Sequence, residues 1–204
     1  MSEVQPAKPR PDLLTWAIRG AALIGVAAVL YVIASASIKP AEVLDLNAFK
    51  RGELAKLEVP DSPPAPTTAG FTDADGKPMT LADFKGQIVV VNLWATWCAP
   101  CRVEMPTLAA LQAAYQTQPV QVLALSVDRD TDLELAKSDI AKNAPLKLYR
   151  DPGYKFSFAI EPRARGFPTT IIYDRQGRER ARLSGEADWN SKEARAMIEA
   201  LLKE

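Results

Sequence analysis

Residues Ile88–Cys101 read IVVVNLWATWCAPC and contain both cysteines of the chain, Cys98 and Cys101. The apolar run 88–94 is short and rich in β-branched residues, as expected of a buried strand. The segment 102–111 is rich in helix formers and has helical apolar spacing. The sequence therefore predicts that a central strand turns into a helix here, with Cys98 at or near the helix N-terminus.

A helix N-terminus changes the chemistry expected of Cys98. Backbone N–H groups that lack a partner there, together with the positive end of the helix dipole, favour a thiolate over a thiol. A thiolate is the form of cysteine that attacks disulfides. Cys101 lies one turn further along the helix, close enough to form a small ring with Cys98. The pair indicates thiol–disulfide exchange.

Composition excludes several other kinds of site. A structural zinc site needs four ligands, whereas the chain has two cysteines and no histidine. The absence of histidine also excludes Ser-His-Asp catalysis and haem ligation by histidine, and we expect no metal and no cofactor. A structural disulfide remains an alternative, although so tight a loop constrains little of the unfolded chain. The 25 basic and 25 acidic residues balance, which offers no case for nucleic acid binding.

An apolar segment near the N-terminus predicts a membrane anchor. Residues Gly20–Ile38 read GAALIGVAAVLYVIASASI and carry no charge, a length that just crosses a bilayer core of about 30 Å as a helix. Basic residues precede the run, so residues 1–19 are expected to be cytoplasmic and the C-terminal part of the chain to lie outside the inner membrane. Ala34-Ser35-Ala36 resembles a signal-peptidase site, which leaves a cleaved leader as the alternative.

Residues 39–69 are interpreted as a linker. The first part, 40–58, has a weak amphipathic pattern interrupted by Gly52, which predicts a short broken helix. Four prolines between residues 60 and 66 indicate an extended spacer. The catalytic domain is accordingly assigned to residues 70–204.

Within residues 70–204 the predicted elements alternate. An Asp-Gly turn at residues 73–77 predicts an N-terminal β-hairpin. We expect further strands near residues 88–94, 120–127, 146–149, 171–173 and 178–183, and helices near 102–115, 130–142, 154–160 and 191–202. This order predicts an α/β fold with a mixed β-sheet flanked by helices. Residues 131–149 provide a central strand–helix insertion.

Residues 90–106, VVNLWATWCAPCRVEMP, carry a resemblance to a known family, with support from Gly166-Phe167-Pro168-Thr169-Thr170 and from residues 185–189, GEADW. The chain resembles the thioredoxin superfamily and, within it, the TlpA/ResA/CcmG branch of membrane-anchored thiol:disulfide oxidoreductases, the TlpA type most closely. The resemblance covers roughly residues 70–204 and implies a thioredoxin-like fold.

The resemblance also implies roles for individual residues. Pro168 matches the cis-proline that faces the two cysteines in this fold, the alternative being an ordinary trans proline in a turn. Phe167, Trp97 and Pro100 would contact the substrate beside it.

Asn92 departs from the pattern of thioredoxin itself, which has a buried aspartate at this place to exchange protons with the second cysteine. An asparagine cannot do so. Glu104 lies three residues after Cys101 on the same side of the predicted helix. If it is partly buried, its raised pKa suits it to accept the proton of Cys101. The alternative is a solvated glutamate on the helix surface.

The expected activity is protein-disulfide reduction, with Cys98 as nucleophile, Cys101 as resolving cysteine and a redox disulfide Cys98–Cys101 between turnovers. The resemblance implies a periplasmic enzyme recharged by a membrane thiol donor of the DsbD/CcdA type. Its implied clients are disulfide-containing proteins of copper-site assembly in cytochrome oxidase, or apocytochrome c. A peroxiredoxin-like activity is an alternative, although Thr96 stands one position too close to Cys98 for it. An assembly adaptor with an idle cysteine pair is another.

Overall fold

The computed structural model describes residues 12–37 and 44–204. The chain divides into an N-terminal unit and a compact unit, Leu44–Glu204. In the N-terminal unit the described residues form helix α1 (Leu13–Ser37), which contains most of the predicted anchor; Ile38 and most of the predicted cytoplasmic segment lie outside the described residues. The membrane span is not confirmed: in the part of the chain that the structure describes, no helix is both long enough and apolar enough to cross a bilayer.

The compact unit is built on a mixed sheet, which confirms the predicted α/β class. Within residues 44–204 seven strands lie in the order β2-β1-β5-β4-β3-β6-β7. The strands are β1 (Phe71–Asp73), β2 (Pro78–Met79), β3 (Ile88–Trp94), β4 (Val120–Ser126), β5 (Lys147–Arg150), β6 (Thr169–Tyr173) and β7 (Glu179–Ser184). Strands β1 and β2 form the predicted N-terminal hairpin.

Helices cover both faces of the sheet. They are α2 (Ala99–Ala114), α3 (Leu133–Ala141), α4 (Lys155–Ala159) and α5 (Lys192–Leu202), and short 3₁₀ turns occur at Leu46–Phe49, Gly52–Leu54, Leu81–Phe84 and Asp130–Asp132. Helices α2, α3 and α5 contribute to the apolar core on one face, whereas α4 and the turn Leu81–Phe84 contribute to the core on the other. The predicted central insertion, residues 131–149, contains the last two residues of the turn Asp130–Asp132, all of α3 and most of β5.

Strand β3 is buried along its whole length because it packs on both cores. Ile88, Val90 and Trp94 point into one core, and Val89 and Val91 point into the other. A strand covered on both faces favours apolar side chains on both, which explains why six of its seven residues are apolar rather than alternating with polar ones; the exception is Asn92. The buried strand predicted from the sequence is therefore confirmed.

The sheet brings three chain segments to one edge. Strands β3 and β4 are parallel, so both end at this edge. Strand β6 is antiparallel to β3, and its first residue, Thr169, pairs with Leu93 near the end of β3. Consequently residues 95–98 after β3, residues 127–128 after β4 and residues 167–168 before β6 lie beside one another. The candidate site forms where these segments meet.

The structure corrects the predicted linker. Leu46, Leu54 and Leu57 are fully buried in the same core as α5. The backbone N–H of Glu58 donates to the carbonyl of Arg182 in β7 at 2.7 Å, and the Arg182 N–H donates back at 2.9 Å. Residues 44–58 therefore belong to the compact unit rather than to a linker that begins at residue 39. Leu46 and Leu54 lie in two separate 3₁₀ turns and Leu57 follows the second turn, so these leucines do not share one face of a single helix.

This correction predicts the effect of truncating a core leucine. We expect Leu57→Ala to lower the free energy of unfolding by about 2–4 kcal/mol, because it leaves a cavity beside α5. Urea unfolding of the full chain measures the change. Leu135→Ala, at an exposed position on α3, is the matched control and is expected to change the value by less than about 0.5 kcal/mol. Equal effects of the two substitutions would contradict the packing of this segment.

Candidate functional site

The two cysteines form a disulfide at the start of α2, as predicted. Cys98 is the N-cap residue of the helix, and the backbone N–H of Cys101 donates to its sulfur at 3.3 Å. Pro100 lies in the first helical turn, where its missing N–H costs no hydrogen bond. Cys98 keeps 5% of its surface exposed, whereas Cys101 is completely buried. Both cysteines are therefore buried in the disulfide form, and Cys98 is the one nearer to solvent.

A buried aspartate holds the turn that leads into Cys98. The Asp128 carboxylate accepts hydrogen bonds from the Thr96 backbone N–H at 3.0 Å, from the Thr96 hydroxyl at 2.8 Å and from the Ser126 hydroxyl at 2.8 Å. These bonds connect the end of β4 to the segment between β3 and α2. Sequence reasoning missed Asp128, since its role depends on the parallel pairing that places the ends of β3 and β4 side by side.

The predicted cis-proline is present next to this turn. The Phe167–Pro168 peptide bond is cis, and the Pro168 carbonyl accepts a hydrogen bond from the Gly185 N–H at 2.9 Å. The Trp97 ring meets the Phe167 ring edge to face, with centroids 5.9 Å apart. Trp97 is 63% exposed. The structure thus brings the predicted residues Trp97, Phe167 and Pro168 together beside Cys98.

Glu104 is buried, which removes the alternative of a solvated surface glutamate. Its carboxylate accepts hydrogen bonds from the Asn92 side-chain amide at 2.6 Å, from the Ala187 backbone N–H at 3.2 Å and from the Trp189 indole N–H at 3.1 Å. Burial raises the pKa of the Glu104 carboxyl to about 7, and the three hydrogen bonds offset part of the rise. A group with a pKa near 7 can both accept and release a proton at neutral pH.

Asn92 positions this carboxylate. Its amide nitrogen donates both to Glu104 and to the hydroxyl of Thr170 in the neighbouring strand β6, at 2.9 Å. An aspartate at position 92 would place a second carboxylate against Glu104, and like charges at that distance repel. The departure from thioredoxin at Asn92 therefore matches the presence of Glu104. Sequence reasoning gave Trp189 no role, although it stands in the segment GEADW that supported the resemblance.

The arrangement combines three chemical functions on one helix. The Cys98 sulfur lies at the helix N-terminus, and the Cys101 sulfur, which is deeper in the core, is bonded to it. A buried carboxylate, Glu104, lies one turn further on the same side. Such a set can accept a mixed disulfide on the first sulfur and resolve it with the second, while the carboxylate exchanges the proton.

Curated relatives share this part of the chain. The chain is 34% identical over 119 residues to a thiol-disulfide oxidoreductase ResA of Bacillus cereus, a match that covers 56% of this chain and 65% of the relative. It is 30% identical over 136 residues to ResA of Bacillus subtilis, covering 65% of this chain and 70% of the relative. The match thus spans slightly less than two thirds of the length of the first of these relatives.

Solved structures show the same fold. A secreted thiol-disulfide isomerase from Corynebacterium glutamicum superposes with a TM-score of 0.64 and 25% identity, over 73% of this chain and 93% of that protein. A thiol:disulfide interchange protein of the thioredoxin family from Chlorobium tepidum TLS superposes with a TM-score of 0.54 and 25% identity, over 70% of this chain and 99% of that protein. Residues 62–181, more than half of the chain, match the profile of the AhpC/TSA family. This chain therefore belongs to the AhpC/TSA family and has a thioredoxin-like fold.

Proposed function

We propose that this chain is a thiol:disulfide oxidoreductase that reduces disulfides in client proteins. One observation carries the proposal: the Cys98–Cys101 disulfide lies at the N-terminus of α2, with Cys98 at the N-cap and nearer to solvent than the completely buried Cys101. The relatives named ResA and the two structural neighbours, all described as thiol-disulfide oxidoreductases, isomerases or interchange proteins, support the same activity.

The cycle begins with the reduced pair. The Cys98 thiolate attacks one sulfur of a client disulfide, the other client sulfur leaves as a thiolate, and a mixed disulfide forms. Cys101 then loses its proton and attacks the sulfur of Cys98. The client leaves with its second thiol, and the Cys98–Cys101 disulfide seen in the structure is formed. Two electrons have passed to the client, whose two thiolates take up one proton that Cys101 released and one from water.

Glu104 is proposed to accept the proton of Cys101. A buried thiol cannot give its proton to bulk water, and Asn92 has no basic group to receive it. The Glu104 carboxyl, with its pKa near 7, is basic enough to take the proton and acidic enough to return it. Its hydrogen bonds to Asn92, Ala187 and Trp189 keep it in place through both steps.

The location and clients are proposed from the sequence. The charge-free run 20–38, with basic residues before it, supports attachment to a bacterial inner membrane with residues 44–204 in the periplasm. In an oxidising compartment a reductase needs an external source of electrons, and a membrane thiol donor of the DsbD/CcdA type would supply them. The TlpA-like residues 90–106 favour client cysteines of copper-site assembly in cytochrome oxidase, with apocytochrome c as the second possibility.

The activity is tested by the turnover of the full chain with dithiothreitol as electron source and insulin as disulfide substrate. We expect Cys98→Ser to abolish turnover because the attacking sulfur is lost. Equal turnover of the wild type and Cys98→Ser would contradict the proposal. Faster oxidation of the reduced pair by hydrogen peroxide than by protein disulfides would instead favour the peroxiredoxin-like alternative.

Trapping the mixed disulfide between Cys98 and the client identifies the client. In Cys101→Ser the mixed disulfide on Cys98 cannot be resolved, so the client is expected to stay covalently attached in cells. Mass spectrometry of the trapped species distinguishes a copper-site protein from apocytochrome c. The double variant Cys98→Ser/Cys101→Ser is the control, and species that persist in it are not clients.

Burial of Glu104 also predicts a pH dependence of stability. The carboxyl has a pKa of about 7 in the folded protein and an ordinary value of 4.5, so between these values the folded state holds a proton that the unfolded chain has released. The free energy of unfolding then falls as the pH rises. We expect the wild type to lose about 3 kcal/mol relative to Glu104→Gln between pH 4 and pH 8. Urea unfolding of both proteins at each pH, with the disulfide intact, measures the difference. The same change in the free energy of unfolding with pH in the wild type and in Glu104→Gln would contradict the prediction.

Proton acceptance by Glu104 predicts a kinetic effect as well. We expect Glu104→Gln to slow the resolution of the mixed disulfide by about a hundredfold, the usual scale for loss of a general base. In the wild type the rate of resolution should increase as the pH rises through about 7. In Glu104→Gln this increase should be absent. Stopped-flow measurement with a preformed mixed disulfide separates resolution from the first attack. An unchanged profile in Glu104→Gln would assign the proton to another acceptor.

A further inference from the structure

Four aromatic rings form a row that begins beside Cys98 and extends to α4. The Trp97 ring contacts Phe167 with centroids 5.9 Å apart, Phe167 lies 6.3 Å from Tyr154, and Tyr154 stacks on Phe158 at 5.6 Å. We call these four residues the aromatic strip. It begins at the residue before Cys98, crosses the segment before Pro168 and ends on α4.

The aromatic strip is open to solvent at both ends. Trp97 is 63% exposed and Phe158 is 56% exposed, while the two rings between them are half-buried. Large aromatic side chains that stay exposed and touch one another are typical of binding surfaces, where Trp, Tyr, Phe and Arg are enriched. Four rings in continuous contact, exposed at both ends of the row, form one surface rather than scattered surface hydrophobes.

Cations lie along the far half of the strip. The Arg163 guanidinium lies over the Phe158 ring, 5.9 Å from its centroid. Lys155 and Arg165 are exposed nearby in the sequence, against one exposed carboxylate, Glu161. The Arg163 guanidinium therefore places a positive charge at the Phe158 end of the strip, where it would attract acidic groups.

The backbone at Tyr154 indicates that this ring is held in place. Tyr154 has φ of +56° and ψ of +22°, a left-handed conformation that L residues with a side chain rarely adopt. Glycine would take this conformation without strain. A tyrosine here instead places its ring between Phe167 and Phe158. Strained residues of this kind are found where function needs a particular side-chain position.

We propose that the aromatic strip binds an extended segment of the client, with an apolar side chain followed by an acidic one, and so selects which disulfides reach Cys98. The inference rests on the proposed reductase function. Continuity with Cys98 favours the client as occupant, since a chain whose sulfur is bonded to Cys98 passes over Trp97. At roughly 3.3 Å per extended residue, the strip lies alongside about five residues of that chain.

Two symmetric peptide disulfides test the selection. In the first peptide, each chain carries Phe followed by Asp about five residues away from its cysteine, on both the N-terminal and the C-terminal side. In the second peptide, Ser replaces each Phe and Asn replaces each Asp. We expect the wild-type full chain to show a kcat/KM about tenfold higher for the first peptide, the effect of one well-packed aromatic contact. In Phe158→Ala and in Tyr154→Gly this ratio should fall below about threefold. Tyr154→Gly removes the ring while keeping the backbone conformation accessible.

Controls separate this inference from the proposed function. Leu135→Ala removes an exposed apolar side chain from α3 and should keep the tenfold ratio. Hydroxyethyl disulfide has no chain to occupy the strip, and its turnover reports the cysteine chemistry alone. If the wild type does not turn it over, the proposed function fails. If it does, but the peptide ratio is near one or is the same in Phe158→Ala, the strip inference alone is overturned. A concentration-dependent dimer that Phe158→Ala abolishes, with equal rates for both peptides, would assign the strip to self-association and overturn the inference too.

Discussion

The hydrogen bonds of the buried Glu104 carboxylate connect the parts of the site. A carboxylate taken out of water is costly unless donors surround it, and here three groups supply them: Asn92 from β3, and the backbone of Ala187 and the indole of Trp189 from the segment after β7. These bonds attach α2 to the sheet below it and to the segment before α5. The same burial that makes the carboxylate need partners raises its pKa into the neutral range.

The sheet topology determines which segments reach the cysteines. Parallel pairing of β3 with β4 places Asp128 beside the turn at Thr96, and antiparallel pairing of β3 with β6 places Pro168 at the same edge. Helix α2 starts at this edge, so Cys98, at its N-cap, lies nearer to solvent than Cys101, which is completely buried. This difference between the two cysteines follows from the strand-to-helix turn.

Recognition and chemistry occupy adjacent surfaces. The cysteine pair, Glu104 and their hydrogen-bond partners lie on α2, the sheet and the segment 185–189. Three of the four rings of the aromatic strip lie elsewhere, in the segment before β6 and in or directly before α4. Side chains of the strip can change without disturbing the buried carboxylate, because no ring of the strip takes part in its hydrogen bonds.

The sequence by itself determined the strand-to-helix turn, the cysteine pair and the α/β order of the elements, because apolar periodicity, helix propensity and the CxxC spacing are local properties. It also placed Glu104 on the correct side of α2. The tertiary structure alone decided that Leu46, Leu54 and Leu57 belong to the core, since their burial depends on α5, more than a hundred residues away. It also decided the partners of Glu104, the role of Asp128 and the row of rings from Trp97 to Phe158. Each of these brings together side chains far apart in the sequence, and such contacts leave no periodic signal in the chain.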